Sequence, residues 1–327
     1  QTLQQVLDDY LTQYDKRLRP TTKNLYRGAI RRCFSDWASL PITNIEEDMV
    51  AERQIALSNA HGPRGKGEAH ANQAMRTLRT LFNFAMLAYK DENKKPLIVS
   101  NPVRGLKPRR LWNKSVSRDE LIADDQLSDW YQAVMKLENS TVRDYMLLCL
   151  FTGLRRSEAA HIKWSNVKLT GNKPVLIIPA ADTKTNSEHK LPLPTFVVQL
   201  LDERSKVRRI DNDYVFPGDK PGTHVVEPKR VIAKVIEASG VDFSMHTLRR
   251  TFGTVAGRLD ISQYKHKMLM NHSMKEEVTG AHYVKLTVED LREPMQKICD
   301  HICKLAGIDQ PVTVAQLKML AHEIIGE

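Results

Sequence analysis

Four cysteines, Cys33, Cys149, Cys299 and Cys303, are too few and too scattered in 327 residues for a disulfide framework, so they read as reduced thiols. Cys299 and Cys303 share one helical face at i, i+4, which leaves a zinc pair open, but no second Cys/His pair at finger-like spacing accompanies them. Long apolar runs are also missing. No stretch approaches the ~18 apolar residues a membrane span needs, which excludes a membrane-spanning protein. The N-terminus, Gln1 to Val6, has no initiator Met and no basic-then-apolar leader, so it reads as a trimmed or internal piece rather than a signal peptide. The basic stretch His61–Gly67 lacks both a preceding strand and the Gly-Lys-Ser/Thr ending of a phosphate loop; it is expected as a mobile basic loop. No cluster of Asp and Glu has nuclease-like metal spacing, and no internal repeat or low-complexity segment is visible.

What is present is positive charge, unevenly spread. The formal net charge is +10, and residues 1–110 hold 19 basic against 11 acidic side chains while the remainder is nearly balanced. Such an excess points to a polyanion, because each phosphate contact releases condensed counterions. The length predicts two domains. Residues 1–92 read as helices: Leu3, Val6, Leu7, Tyr10, Leu11 and Tyr14 recur at helical spacing, and a second helix after Pro20 turns Lys23, Arg27, Arg31 and Arg32 outward. Thr43-x-x-Glu46 predicts a capping box for a third helix, and a fourth runs from about Ala69 to Tyr89. Residues 93–116, with Pro96, Pro102 and Pro108 among basic residues, are expected as a linker. Residues 117–327 read as mixed: helices at about 122–136, 141–152, 156–162, 195–206, 227–239, 246–258, 261–270, 287–304 and 313–325, with strands at about 164–168, 174–179 and 188–193. The fold class is therefore mainly α with a small antiparallel sheet.

Singly, the polar residues of this second region are weak signals. Their order is not. Arg155 in Thr152–Glu158, Lys184 in Asp182–Asn186, Lys190–Leu193, His246-Thr247-Leu248-Arg249, His272 in Leu269–Ser273, and Tyr283 after Thr279 together resemble the active site of the tyrosine recombinases, the phage integrase family. The resemblance spans about residues 115–290, while the N-terminal helices and Asn101-Pro102 look like the family's core-binding domain. It implies a helical core-binding domain joined to a mixed α+β catalytic domain with a C-terminal helical tail.

The resemblance assigns roles. Arg155 and Arg249 would clamp the scissile phosphate, Tyr283 would attack it, Lys184 would protonate the leaving 5′ oxygen, and His246 would take the tyrosine proton. His272 would donate to a non-bridging oxygen, and Glu158 would buttress the site. Lys190 competes with Lys184 in the same hairpin, and Tyr264 is the near competitor of Tyr283. Two features depart from the family pattern: Asn271 stands where Gly is usual, and His272 and Tyr283 are 11 positions apart, a longer interval than usual, with Lys275-Glu276-Glu277 between them. Asn tolerates a left-handed backbone, so the turn survives.

The DNA backbone would be met by Lys23, Arg27, Arg31, Arg64, Lys66, Arg76, Arg104, Lys107, Arg109, Arg110 and Arg250, with Arg156 and Arg250 read as DNA-backbone or structural residues. The implied function is site-specific integration and excision of a phage or mobile element through a covalent 3′-phosphotyrosine, without metal, cofactor or ATP. The implied partners are duplex attachment sites, copies of the same chain (a dimer on one site, a tetramer in the synapse) and accessory bending or directionality factors. The implied location is a bacterial cytoplasm, at the nucleoid. Alternatives are a type IB topoisomerase and a catalytically inactive architectural DNA-binding protein. The apolar spacing after Leu286 leaves the tail's packing open, in cis or on a neighbouring copy.

Overall fold

The computed structural model describes residues 1–62, 65–114, 120–171, 173–272 and 286–309, with the side chains of 61–66 left aside. The chain divides into two compact units, residues 1–118 and 119–327.

In the first unit, α1 (Leu3–Gln13) starts at a capping box: Thr2 Oγ1 accepts from the Gln5 amide at 3.3 Å and Gln5 Oε1 accepts from the Thr2 amide at 2.8 Å. α2 (Pro20–Cys33) begins on a proline, whose missing N–H is one the first turn leaves unpaired anyway. α3 (Glu47–Asn59) does not start at the expected Thr43 box. Residues Ile42–Asn44 form a 3-10 turn, the Thr43 hydroxyl donates to Asn44 Oδ1 at 3.2 Å, and Glu46 takes the cap position. The stretch expected as a basic loop closes instead as a short antiparallel pair, β1 (His61–Gly62) with β2 (Gly65–Lys66). α4 (Glu68–Ala88) follows and buries Ala71, Met75, Leu78, Phe82 and Ala85 along one face.

Of the stretch expected as a linker, residues 93–114 are not free chain. Ile98, Val103 and Leu106 are buried in the same core as α4. Asn101 fixes the crossing: its Oδ1 accepts from the Val103 amide at 3.0 Å, and its Nδ2 donates to Arg79 O at 2.9 Å and Asn83 Oδ1 at 2.8 Å. A fully buried amide with its hydrogen bonds made is a tie, not a solvated chain.

The second unit is built around α6 (Ser140–Thr152), in which every residue from Asp144 to Thr152 is buried. A helix apolar all round belongs inside. α5 (Leu127–Met135), α8 (Thr195–Lys206), α10 (Met245–Arg258) and α12 (Arg292–Ala306) pack on it. α7 (Arg156–Ala160) follows α6 directly, and α9 (Lys229–Ser239) packs on α5. A three-stranded antiparallel sheet, β3 (Val167–Lys168), β4 (Val175–Ile178) and β5 (His189–Pro192), runs in chain order. α11 (Gln263–Leu269) packs against α10. Cys299 and Cys303 lie on the buried face of α12, and their mutual hydrogen bond and burial push the Cys299 thiol well above the usual range. The helix expected over 313–325 lies outside the described residues.

Candidate functional site

α6 ends at Gly153, whose φ of 63° is left-handed. A Cβ there would stand 2.4 Å from Phe252 Cδ1, so glycine is required by conformation and by space. The chain reverses at once into α7, with Arg155 at its N-cap. Glu158, 1% exposed, holds Arg155 twice: Oε2 accepts from the Arg155 amide at 3.1 Å and Oε1 from Nη1 at 2.7 Å. A buried carboxylate so matched orients the guanidinium, and its loss leaves a charge unpaired.

Ser244 caps α10, accepting from the Thr247 amide at 3.2 Å. His246 and Arg249, three residues apart, therefore share a face of its first turns. Arg249 is 4% exposed. Its Nη1 donates to Gly153 O at 2.6 Å and its Nη2 to Met270 O at 2.5 Å. Burial, with Arg155 nearby, draws its pKa down from 12.5 to about 10, which still leaves it charged at neutral pH.

The end of α11 supplies the acceptors. Asn271 adopts φ 48°, its amide donates to Met268 O at 3.0 Å, and the His272 amide donates to Lys267 O at 2.9 Å. This is a left-handed helix stop of the Schellman type with Asn in the usual glycine place. The stop turns the carbonyls of Met270 and Asn271 to the two arginines, the second accepting from Arg155 Nη2 at 3.1 Å. Cations suit the carbonyl end of a helix. Burial, then Arg249 and Arg155, holds His272 below the usual imidazole range. His246 is lowered by burial and by Arg250, Arg249 and Arg155. Both rings are thereby biased toward the neutral form, in which one nitrogen accepts and the other donates.

The β4–β5 connection carries Lys184 on an exposed turn. Thr183 folds that turn, donating to Ala180 O at 3.0 Å and Ser187 O at 2.9 Å, and Thr185 Oγ1 reaches Asn271 Oδ1 at 3.3 Å. Lys190 is exposed and pairs with Glu188 at 3.2 Å. Strand alternation puts it opposite His189, which is buried and feels the charges of Glu158, Arg249 and Arg155. Of the predicted residues, Arg155, Glu158, Arg249 and the backbone leading to His272 are joined by direct bonds; His246 joins them through α10, and Lys184 through its neighbour Thr185. Tyr283 lies outside the described residues. Arg156 turns away to Glu227 at 2.7 Å. Sequence reasoning missed His189 and His266, both of which feel the Arg249 charge; the inward position of His189 in the pattern His189-Lys190-Leu191 was the available signal.

In the first unit, Arg76, Arg104 and Lys107 line a concavity of about 580 Å³ together with Arg79, Trp112 and Asn113. Arg79 lies over the Trp112 ring, 5.8 Å from its centre. Arg27 and Arg31 are exposed on α2, and Arg110 is exposed with φ 55°. Lys23 is engaged by Asp15, and Arg109 by Asp48 at 2.6 Å. Arg250 is half-buried beside His246. Arg64 lies outside the described residues, and of Lys66 only the backbone, in β2, is described.

Among the described residues no helix is long and apolar enough to cross a membrane. The sequence profile of the Phage integrase family matches residues 120–290. The prophage integrase IntF of Escherichia coli K12 is 25% identical over 277 residues, 83% of this chain but 56% of that protein, so the chain spans little more than half of it. The Tn1549 transposon integrase in complex with a circular intermediate DNA has a similar structure (TM-score 0.67, 16% identity, 90% of this chain and 99% of that one). So does a lambda integrase(75–356) dimer bound to a COC′ core site (TM-score 0.61, 20% identity, 88% and 100%).

Proposed function

Since the chain belongs to the phage integrase family of tyrosine recombinases, we propose that it cuts and rejoins DNA at specific sites through a covalent 3′-phosphotyrosine. The observation that carries this reading is the convergence of Arg155 and Arg249 on consecutive carbonyls, Asn271 and Met270, beside His272. A phosphodiester is an anion that repels its attacker. Two guanidiniums fixed before the substrate arrives neutralise it, and their effect grows as charge develops in the transition state. Each uses two of its five N–H donors in the bonds described.

Tyr283 supplies the nucleophile. Its phenol oxygen bonds to phosphorus and the bond from phosphorus to the 5′ oxygen breaks. The phenol proton passes to His246, which is biased to the neutral, accepting form. Lys184 donates a proton to the departing 5′ oxygen, and His272 donates to a non-bridging oxygen. The phosphate ester energy is kept in the tyrosine ester, so rejoining needs no ATP. The first unit's basic concavity, with Trp112 beside Arg79, suits a phosphate backbone.

Duplex attachment sites are the substrate of this reading, and two copies act on one site and four in a synapse. Lambda integrase is described both as a dimer on a core site and as a tetramer on a Holliday junction. Family membership favours recombination over type IB relaxation or a purely architectural role. Accessory bending proteins and nucleoid association belong to the same reading.

The test is a nicked suicide duplex of the attachment site. Wild type gives a detergent-stable protein–DNA adduct on Tyr283, and Tyr283→Phe gives none while binding DNA equally well. Adducts that persist in Tyr283→Phe, or relaxed circles with no recombinant junctions, defeat the proposal.

A further inference from the structure

We propose that Gln54 and Asn72 are positioning residues for DNA binding: their buried amides grip the chain on either side of Trp112 and hold its ring in the wall of the basic concavity, where it packs on a sugar of the duplex backbone. The inference rests on the recombinase reading, which makes that concavity part of the DNA path. Residues 111–113 belong to no helix or strand, so their backbone groups need partners from elsewhere. Two side chains supply them. Gln54 Nε2, on α3, donates to Leu111 O at 3.0 Å and to Asn72 Oδ1 at 3.1 Å. Asn72, on α4, meets Asn113 as a neighbouring strand would: its Nδ2 donates to Asn113 O at 2.9 Å and its Oδ1 accepts from the Asn113 amide at 3.2 Å. The Asn113 side chain closes the set, donating to Ser58 Oγ at 2.8 Å and to Glu68 O at 3.3 Å.

Gln54 is 1% and Asn72 4% exposed, and Gln54 Oε1 has no partner among the described residues. Apolar side chains would fill both places without the desolvation that buried amides suffer. What the amides add is a directed hold on the two residues that flank Trp112. Asn72, Arg76 and Arg79 stand at i, i+4 and i+7 along α4, so the hold and two of the cations share a helix face. The concavity they line with Arg104, Lys107 and Trp112 carries four cations and, among the described residues, no carboxylate. Trp112 is half-buried there, with the Arg79 guanidinium 5.8 Å from its ring centre. A flat apolar ring set among cations matches a sugar set between phosphates.

The test is binding of the full chain to an unnicked mixed-sequence duplex across a salt series, because contacts to the backbone read no sequence. Trp112→Ala is expected to weaken binding by about tenfold at every salt concentration, with the slope of log K against log salt unchanged, since an indole releases no counterion. Asn72→Leu, which removes both bonds to residue 113, is expected to show the same loss and the same slope. In the double variant the loss stays at about tenfold, because a ring no longer held has no contact left to lose. A merely structural asparagine predicts losses that add, or a lower melting temperature with binding intact. Either result overturns the proposal, as does unchanged binding by Trp112→Ala or a flattened salt slope. If Asn72→Leu fails to fold, Gln54→Met takes its place in the cycle and must show the same non-additivity; losses that add overturn the proposal equally. A wild type that binds no duplex at low salt sinks the recombinase reading itself; a wild type that binds while its Trp112→Ala variant binds as tightly sinks this inference alone.

Discussion

Gly153→Ala is a one-carbon change that acts on both arginines. The residue sits at φ 63°, and an alanine held there costs about 1–2 kcal/mol. Its methyl would also fall 2.4 Å from Phe252 Cδ1, and Phe252 is fully buried, so the ring must move. Overpacking of that kind costs about 1–3 kcal/mol. The sum, roughly 2–5 kcal/mol, corresponds to a loss of roughly 4–20 °C in the melting temperature of a unit this size. Catalysis falls further than stability alone requires, because Gly153 O anchors Arg249 and Arg155 follows two residues later. A shift near 1 Å lowers adduct formation by about a hundredfold at temperatures where the protein is folded. Phe252→Leu shortens the opposing ring. Combined with Gly153→Ala it recovers the steric part and not the conformational part, so the double variant is more stable than the sum of the singles by about 1–3 kcal/mol. Melting followed by circular dichroism, with single-turnover cleavage, reads both. A Gly153→Ala protein that melts within about 1 °C of wild type and cuts at the same rate refutes the reasoning.

Stability also depends on His189 and pH. Burial lowers the ring's pKa from 6.5 to about 4, so the unfolded chain takes the proton first as pH falls. The full contribution is present above pH 6.5 and is lost through about pH 4, roughly 3 kcal/mol in all. Melting curves should steepen in that window, and His189→Asn should flatten them; an unchanged slope contradicts the assignment. Replacing Arg76, Arg104 and Lys107 together by Ala should weaken DNA binding across sequences and reduce the slope of log K against log salt by about one for each phosphate no longer neutralised; an unaltered slope removes that concavity from the DNA path. Lys190→Ala should leave suicide-substrate cleavage unchanged, since Lys190 pairs with Glu188 on the outer face; a collapse like that of Lys184→Ala would exchange their roles.

Local patterns carried most of the fold and much of the site. The apolar spacing of α1, α4 and α6 was readable because one side of each helix, or all of α6, is buried. Arg155 and Glu158 sit one turn apart around a helix start, and His246 and Arg249 one turn apart in another, so their grouping needs no distant contact. Residues 93–112 misled because prolines and cations read as solvated chain, whereas Ile98, Val103 and Leu106 reach the core at irregular spacing. Thr43-x-x-Glu46 misled because the threonine hydroxyl has a nearer acceptor in Asn44. Lys23 and Arg109 looked free in the sequence because their carboxylates, Asp15 and Asp48, come from elsewhere in the chain. Of His189 only the inward strand register was readable; the charges that act on its ring, those of Glu158, Arg249 and Arg155, are brought near only by the folded unit.

The gathering of both guanidiniums at one turn has a bearing on biosynthesis. Arg155 is 116 residues from the Asn271 carbonyl it grips, and Arg249 is 96 from that of Gly153. Contacts of such long reach form late, after local helices. A nascent polypeptide thus carries these cations uncaged until the stretch through Asn271 has left the ribosome, and a translation product that ends earlier lacks the carbonyls that hold both guanidiniums.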